Sequence, residues 1–235
     1  PRALSDAEIE DVIQRFATSA SIAKQAGFSG VQLHAAHGYL ISQFLSPVTN
    51  QRQDQWGGSL ENRARLLLST VAETRQAVGA DFAVSVKLNS ADFQKGGFTL
   101  DECVTVVEWL NTAGIDLLEI SGGSYEAPQL MGFSGDAAKT ELPPRQSSLD
   151  REAYFLTYTK AIREVAKMPI AVTGGFRSRA TMVQALTHGE LDIIGMARPF
   201  AADPEIALGL INNSVQETAV VERYKRIGPG MLGIN

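Results

Sequence analysis

Short, continuously apolar runs alternate along this chain with longer stretches in which apolar residues return every third or fourth position. The short runs predict strands at Gly30 to His34, Phe82 to Leu88, Leu117 to Ser121, Ile170 to Thr173 and Asp192 to Met196. Between them the longer period predicts helices over about 59–78, 99–113, 150–167 and 178–188, with another over about 203–212. Ahead of the first strand, Ser5 followed three residues later by Glu8 reads as a capping box. Ile9, Val12, Ile13, Phe16 and Ala20 follow at helical spacing, so a helix is expected from about 5 to 26, stopped at Gly27.

Five short strands without an alternating polar face, each separated from the next by a helix, imply right-handed βαβ crossovers and a parallel sheet. Two α/β architectures satisfy that pattern, a doubly wound sheet and a (β/α)8 TIM barrel. Polar or glycine-rich groups follow nearly every strand at its C-terminal end: His34 and His37, Lys87 and Asn89, Ser121 to Ser124, Gly174 and Gly175, and Gly195 to Arg198. A barrel gathers all such ends around one mouth, which favours the barrel.

Composition narrows the function classes. The 235 residues include 21 Lys plus Arg against 26 Asp plus Glu, a net charge of −5 with both signs dispersed, so no basic patch suggests nucleic acid. The single cysteine, Cys103, excludes a disulfide framework or a four-cysteine cluster supplied by this chain; lying beside Val106 and Val107, it reads as core. No apolar run reaches membrane-spanning length and the first residues lack the pattern of a signal peptide, so a cytoplasmic setting is expected. The chain opens on Pro1 rather than Met, as a processed or partial chain would.

The densest chemistry is His34-Ala35-Ala36-His37-Gly38-Tyr39, directly after the first strand. Two imidazoles can hold an oxygen and one phenol can deliver a proton, a combination suited to polarising a carbonyl. Reading His34 and His37 as metal ligands instead lacks a neighbouring cysteine or carboxylate to complete a site. A second constellation is Thr173-Gly174-Gly175 together with Gly195-Met196-Ala197-Arg198 at the ends of consecutive strands. In a barrel the loops after the last two strands form the usual phosphate site, where glycine lets backbone N–H groups approach an anion and a guanidinium adds charge. The stretch from Gly122 to Leu149, with three prolines, is long enough to be a lid or binding loop. His188, beside Gly189, reads as a helix C-terminal cap.

These residues resemble the old yellow enzyme family of FMN-dependent ene-reductases. The similarity is densest from Val31 to Leu40, through Gln43 to Pro47 and across Arg52 to Arg63, and runs from about residue 5 to 212. It implies that His34 and His37 hold the carbonyl oxygen of an α,β-unsaturated substrate while hydride passes from flavin N5 to the β-carbon, and that Tyr39 protonates the α-carbon. A phenol, with a reference pKa of about 10, is protonated at neutral pH and suited to that role. Lys87 stands where the family commonly has an arginine at the flavin pyrimidine edge; the charge is kept and the planar fork is lost. Gly174, Gly175, Ala197 and Arg198 align with the FMN phosphate site, and Tyr125 could reach substrate from the long loop. The charged residues of the Arg52 to Arg63 signature are expected to fix a loop rather than touch substrate.

The resemblance further implies NADH or NADPH as the hydride donor in a ping-pong cycle, a small-molecule alkene as the acceptor, and a homo-oligomer as one assembly open to it. Larger relatives add an iron–sulfur cluster and a second flavin domain; with one cysteine, this chain reads as the single-module form. Family members have three strands ahead of the helix that begins here. The expectation is therefore one FMN-binding barrel domain over 1–235 that lacks its N-terminal strands and supplies roughly strands 4–8, a partial barrel. The alternative is an incomplete fragment, inactive by itself or needing a complementing chain.

Overall fold

The computed structural model describes residues 2–122 and 154–219. Five strands, β1 (Gly30–Ala35), β2 (Ala83–Asn89), β3 (Leu117–Ser121), β4 (Ile170–Thr173) and β5 (Ile193–Gly195), form one sheet. Every pairing is parallel and the strands lie side by side in chain order. A doubly wound sheet reverses its order at a switch point and takes helices on both faces. Sequential order with right-handed crossovers lays the helices along one face, which is the arrangement of a (β/α)8 barrel. The sheet is an arc of such a barrel.

The helices are α1 (Asp6–Gln25), α2 (Leu40–Leu45), α3 (Leu60–Val78), α4 (Leu100–Ala113), α5 (Tyr154–Val165), α6 (Arg179–Thr187), α7 (Arg198–Ala202) and α8 (Ile206–Ile211). The capping box at α1 forms as its sequence dictates: Ser5 Oγ accepts from the Glu8 N–H and the Glu8 carboxylate accepts from the Ser5 N–H. Thr99 and Glu102 repeat the device at α4. His188 occupies the C-cap of α6.

Alternation across the sheet separates two environments. Leu33, Ala35, Val84, Val86, Leu88, Leu118, Ile120, Ile170 and Val172 are buried beneath the helices with Cys103, Val106, Val107 and Leu110 of α4. Among the intervening positions, Gln32, His34, Ser85, Lys87, Glu119 and Thr173 are polar and not fully buried, and they line the concave, interior face.

Several local outcomes differ from the sequence expectation, among them the additional short helix α7 at Arg198–Ala202. Helix α2 falls inside the stretch read for its chemistry; Ile41, Phe44 and Leu45 bury one face at helical spacing, a signal too short to stand out. Strand β5 spans three residues, Ile193–Gly195, rather than five; just before it the Asp192 carboxylate accepts from Ile170 N–H at 2.8 Å and from Arg163 at 2.7 Å. The last expected helix is shorter, and Asp203 Oδ1 accepts the Glu205 N–H at 2.9 Å in the turn before it. Tyr125, nearly all of the Gly122 to Leu149 stretch and positions 150–153 lie outside the described residues.

Candidate active site

The turn leaving β1 is built around two left-handed residues, His37 at φ 62° and Gly38 at φ 79°. Histidine is one of the few side chains that tolerate this conformation, and here the backbone is held from outside: His37 N–H donates to Asn89 Oδ1 at 3.2 Å. Asn89, buried at the end of β2, is itself oriented by Asp92, whose Oδ1 accepts from Asn89 Nδ2 at 3.1 Å. Ser42 Oγ accepts the Gly38 N–H at 3.2 Å, and Gln43 Nε2 donates to Gly38 O at 2.7 Å, so α2 fixes the far side of the turn.

That turn brings His34, His37 and Tyr39 together. The two imidazole centroids are 5.1 Å apart with rings nearly perpendicular, and the Tyr39 ring lies 4.8 Å from His34. His34 Nδ1 accepts the Ala36 N–H at 3.2 Å. In a neutral ring this assigns the proton to Nε2 and makes that nitrogen a donor. His37 Nε2 lies 2.7 Å from Ser121 Oγ at the end of β3. Burial, followed by the charge of Lys87, holds the His34 pKa below its ordinary value; the same causes plus His34 itself push His37 down to about 4. Both rings are therefore neutral near pH 7, and a neutral ring with one nitrogen occupied as acceptor offers the other as a donor.

In register with His34 stands Lys87 on β2, and in register with Lys87 stands Glu119 on β3. The Lys87 ammonium is 2.9 Å from Glu119 Oε1, and Gln32 Nε2 donates to Glu119 Oε2 at 2.7 Å. Burial pushes the Glu119 carboxyl up; hydrogen bonds from Thr173, Lys87 and Gln32 outweigh it and leave the group lowered overall. Strand register, which no local pattern carries, is what pairs Lys87 with Glu119. A lone acidic residue within the apolar run Leu117 to Ile120, two positions before a strand end, was the available signal.

Gly174 and Gly175 leave β4 at φ 105° and 84°, and Ala197 and Arg198 follow the end of the neighbouring β5. The two motifs thus emerge side by side, with Gly174 N–H donating to Gly195 O at 3.3 Å. The Arg52 to Arg63 signature forms a scaffold on the other side of α2. Arg52 makes a two-pronged pair with Asp54 at 3.0 and 2.6 Å and donates to Leu4 O at 2.6 Å, while Trp56 Nε1 donates to Asp6 Oδ1 at 3.0 Å. Buried Arg63 bonds Leu45 O, the Glu102 carboxylate and, at 3.2 Å, Gly58 O. These contacts clamp α1, α2, α3 and α4 to one loop, as expected for structural charges. Among the described residues no group of three His, Cys, Asp or Glu side chains is arranged to hold a metal, and no helix is long and apolar enough to cross a membrane.

Residues 1–214 match the NADH:flavin oxidoreductase / NADH oxidase family. The chain is 40% identical over 205 residues to the NADH-dependent flavin oxidoreductase iliE of Neonectria sp. (strain DH2), covering 87% of this chain and 26% of that protein. It is 32% identical over 204 residues to the NADPH dehydrogenase of Halalkalibacterium halodurans, covering 87% and 54%. Among solved structures, 2-naphthoyl-CoA reductase in complex with 2-naphthoyl-CoA superimposes with a TM-score of 0.79 at 33% identity, over 90% of this chain and 30% of that one. The chain thus spans from about a quarter to about half of the length of these relatives. With a barrel arc of the matching topology and a family match that runs through every element described above, this chain belongs to the NADH:flavin oxidoreductase / NADH oxidase family.

Proposed function

We propose that this chain carries the substrate-activating half of an FMN-dependent oxidoreductase that reduces the C=C bond of an α,β-unsaturated carbonyl compound with NADH or NADPH. The observation that carries the reading is the His34, His37 and Tyr39 constellation: two neutral imidazoles beside a phenol whose ring is 4.8 Å from His34.

FMN is the cofactor expected of the family, and the donor set suits it. Gly174 and Gly175, both at positive φ, turn the backbone at the end of β4, where Gly174 N–H is committed to Gly195 O and Gly175 N–H would be the donor to an anion; Arg198 lies at the neighbouring strand end, and Lys87 lies on the interior face beside His34. Bound flavin would supply hydride-transfer chemistry that no side chain can. The protein's part is to bind, orient and move one proton. His34 Nε2–H and the free nitrogen of His37 donate to the substrate carbonyl oxygen and stabilise the negative charge that gathers there as the β-carbon is reduced. Each such donor contributes on the order of 10² to 10³ in rate. Tyr39 Oη–H gives its proton to the α-carbon. With 46% of its surface exposed, Tyr39 can recover that proton from solvent. The naphthoyl thioester named with the similar reductase has a carbonyl conjugated to an unsaturated ring, which is the acceptor class proposed here.

Reconstitution of the chain with FMN tests the reading. A bound visible spectrum, with Tyr39→Phe slowing reduction of an unsaturated ketone while nicotinamide still bleaches the flavin, is the expected result. Equal loss of both half-reactions would remove Tyr39 from proton delivery. A second reading rests on the sheet itself, in which, among the described residues, β1 and β5 are each paired along one side. Under it the chain works only with further strands laid on those edges, and the reconstituted chain stays colourless.

A further inference from the structure

Glu119 stands in the middle of the interior face and gathers partners from three other strands: Gln32 of β1, Lys87 of β2 and Thr173 of β4. Both members of its ion pair are well covered, Lys87 at 18% and Glu119 at 13% side-chain exposure. Burying a charge pair contributes little net stability compared with apolar packing, so such a pair is weak evidence for a purely structural role. Its position is informative instead. Lysine is a point charge on a flexible four-carbon stem, and unlike arginine its direction is not set by a planar fork. Something must aim it, and here the Glu119 carboxylate does so from the adjacent in-register position.

We propose that Glu119 is a positioning residue that fixes the Lys87 ammonium against the interior face and offsets part of its charge, so that the site beside His34 presents an ion pair rather than a lone cation. This rests on the reading of Lys87 as the cation at the flavin edge. Two consequences follow. One of the three ammonium donors is taken by Glu119, which leaves two for another acceptor. The field at the imidazoles is also moderated: among the groups facing His34, which are Lys87, Glu119, His37 and Tyr39, the lysine disfavours a charged ring and the glutamate offsets part of that effect.

The test compares Glu119→Gln, Lys87→Met and the double variant with the wild-type full chain. Titration of the His34 and His37 imidazoles by NMR needs no cofactor. In Glu119→Gln both midpoints should fall by about half a pH unit, because the lysine charge is unopposed. In Lys87→Met they should rise, and the double variant should lie between. The flavin readout is the ratio of reduced to oxidised FMN affinity. It should increase about tenfold in Glu119→Gln, which is about a 30 mV rise in the two-electron potential. Imidazole midpoints that do not move in either single variant would overturn the proposal, as would an unchanged affinity ratio in a flavin-loaded Glu119→Gln chain. If the chain takes up no FMN the cofactor reading fails, and the imidazole titrations still decide the role of Glu119. Should Glu119→Gln fail to fold, the rise or constancy of the midpoints in Lys87→Met decides it alone.

Discussion

The imidazole of His37 and the hydroxyl of Ser121, 84 residues apart in the chain, meet at 2.7 Å. Strand β2 holds the same histidine by its backbone, through Asn89, while β3 holds its ring. Main chain and side chain are therefore fixed by separate strands, and the left-handed turn at His37 is determined twice over. When Ser121 is the donor in this bond, a neutral His37 accepts at Nε2 and carries its own proton at Nδ1, which becomes the ring's donor nitrogen.

Replacing Ser121 with alanine removes that choice of tautomer. Affinity for a phenol, which mimics the polarised carbonyl oxygen, should fall about tenfold in the flavin-loaded chain, the equivalent of about 1.4 kcal/mol. Folding stability should change by about 1 kcal/mol or less, since one neutral hydrogen bond is lost. The check is a charge-transfer titration beside a urea unfolding curve. Undiminished phenol affinity would detach Ser121 from the orientation of His37.

Acid should weaken the fold through the same histidine. The folded His37 pKa, about 4, lies below the unfolded value of about 6.5. The unfolded state therefore binds more protons between those limits, and stability is lost as pH falls from 6.5 toward 4. His34 is shifted in the same direction and adds to the effect. Glu119 and Asp192 are lowered in the folded chain, so their contributions fade only as pH falls below the ordinary carboxylate range. Thermal melts at pH 7 and pH 5 should thus separate the imidazoles from the acids. His37→Asn, which keeps a side chain tolerant of positive φ, should lose less on acidification than the wild type.

Arg63 is the charge whose removal should cost the fold most. Its side chain is 5% exposed and satisfies two carbonyls and a carboxylate from three elements. Arg63→Ala leaves those acceptors unpaired, at a cost of about 3 kcal/mol or more by chemical denaturation. Arg63→Lys should recover only part of the loss, because an ammonium cannot reproduce the fork that reaches all three. A lysine variant as stable as the wild type would show that the positive charge suffices and the fork geometry does not matter.

What the sequence made legible follows from the range of the forces involved. The five strands and the capping box at Ser5 and Glu8 are encoded by neighbours in the chain, and the structure places them within a residue or two of their expected positions. His34, His37 and Tyr39 lie within six residues of the chain, a spacing visible in the sequence itself. The pairs Lys87 with Glu119 and His37 with Ser121 are different, because each depends on strand register, which no local pattern carries. Asn89 illustrates the boundary: its place at a strand end was visible, and its grip on the His37 backbone was not.

Register also explains a glycine read at first only as part of a turn. Gly195 is the partner of Thr173 across β4 and β5. A Cβ at position 195 would stand 1.8 Å from Thr173 Oγ1, 2.8 Å from its Cβ and 3.1 Å from its Cα. The hydroxyl could swing away, at the expense of its bond to Glu119, but Cβ and Cα cannot. Gly195→Ala should therefore cost about 2 kcal/mol, in the range of other overpacked sites. Thr173→Ala alone should cost about 2 kcal/mol, the loss of a hydrogen bond to a charged acceptor. Because one substitution relieves part of the clash that the other creates, the double variant should lose less than the sum of the two. Urea unfolding of all four chains measures that coupling. Strict additivity would mean that the strands shift to admit the methyl group, and that Thr173 does not tie the ends of β4 and β5 to the Glu119 network.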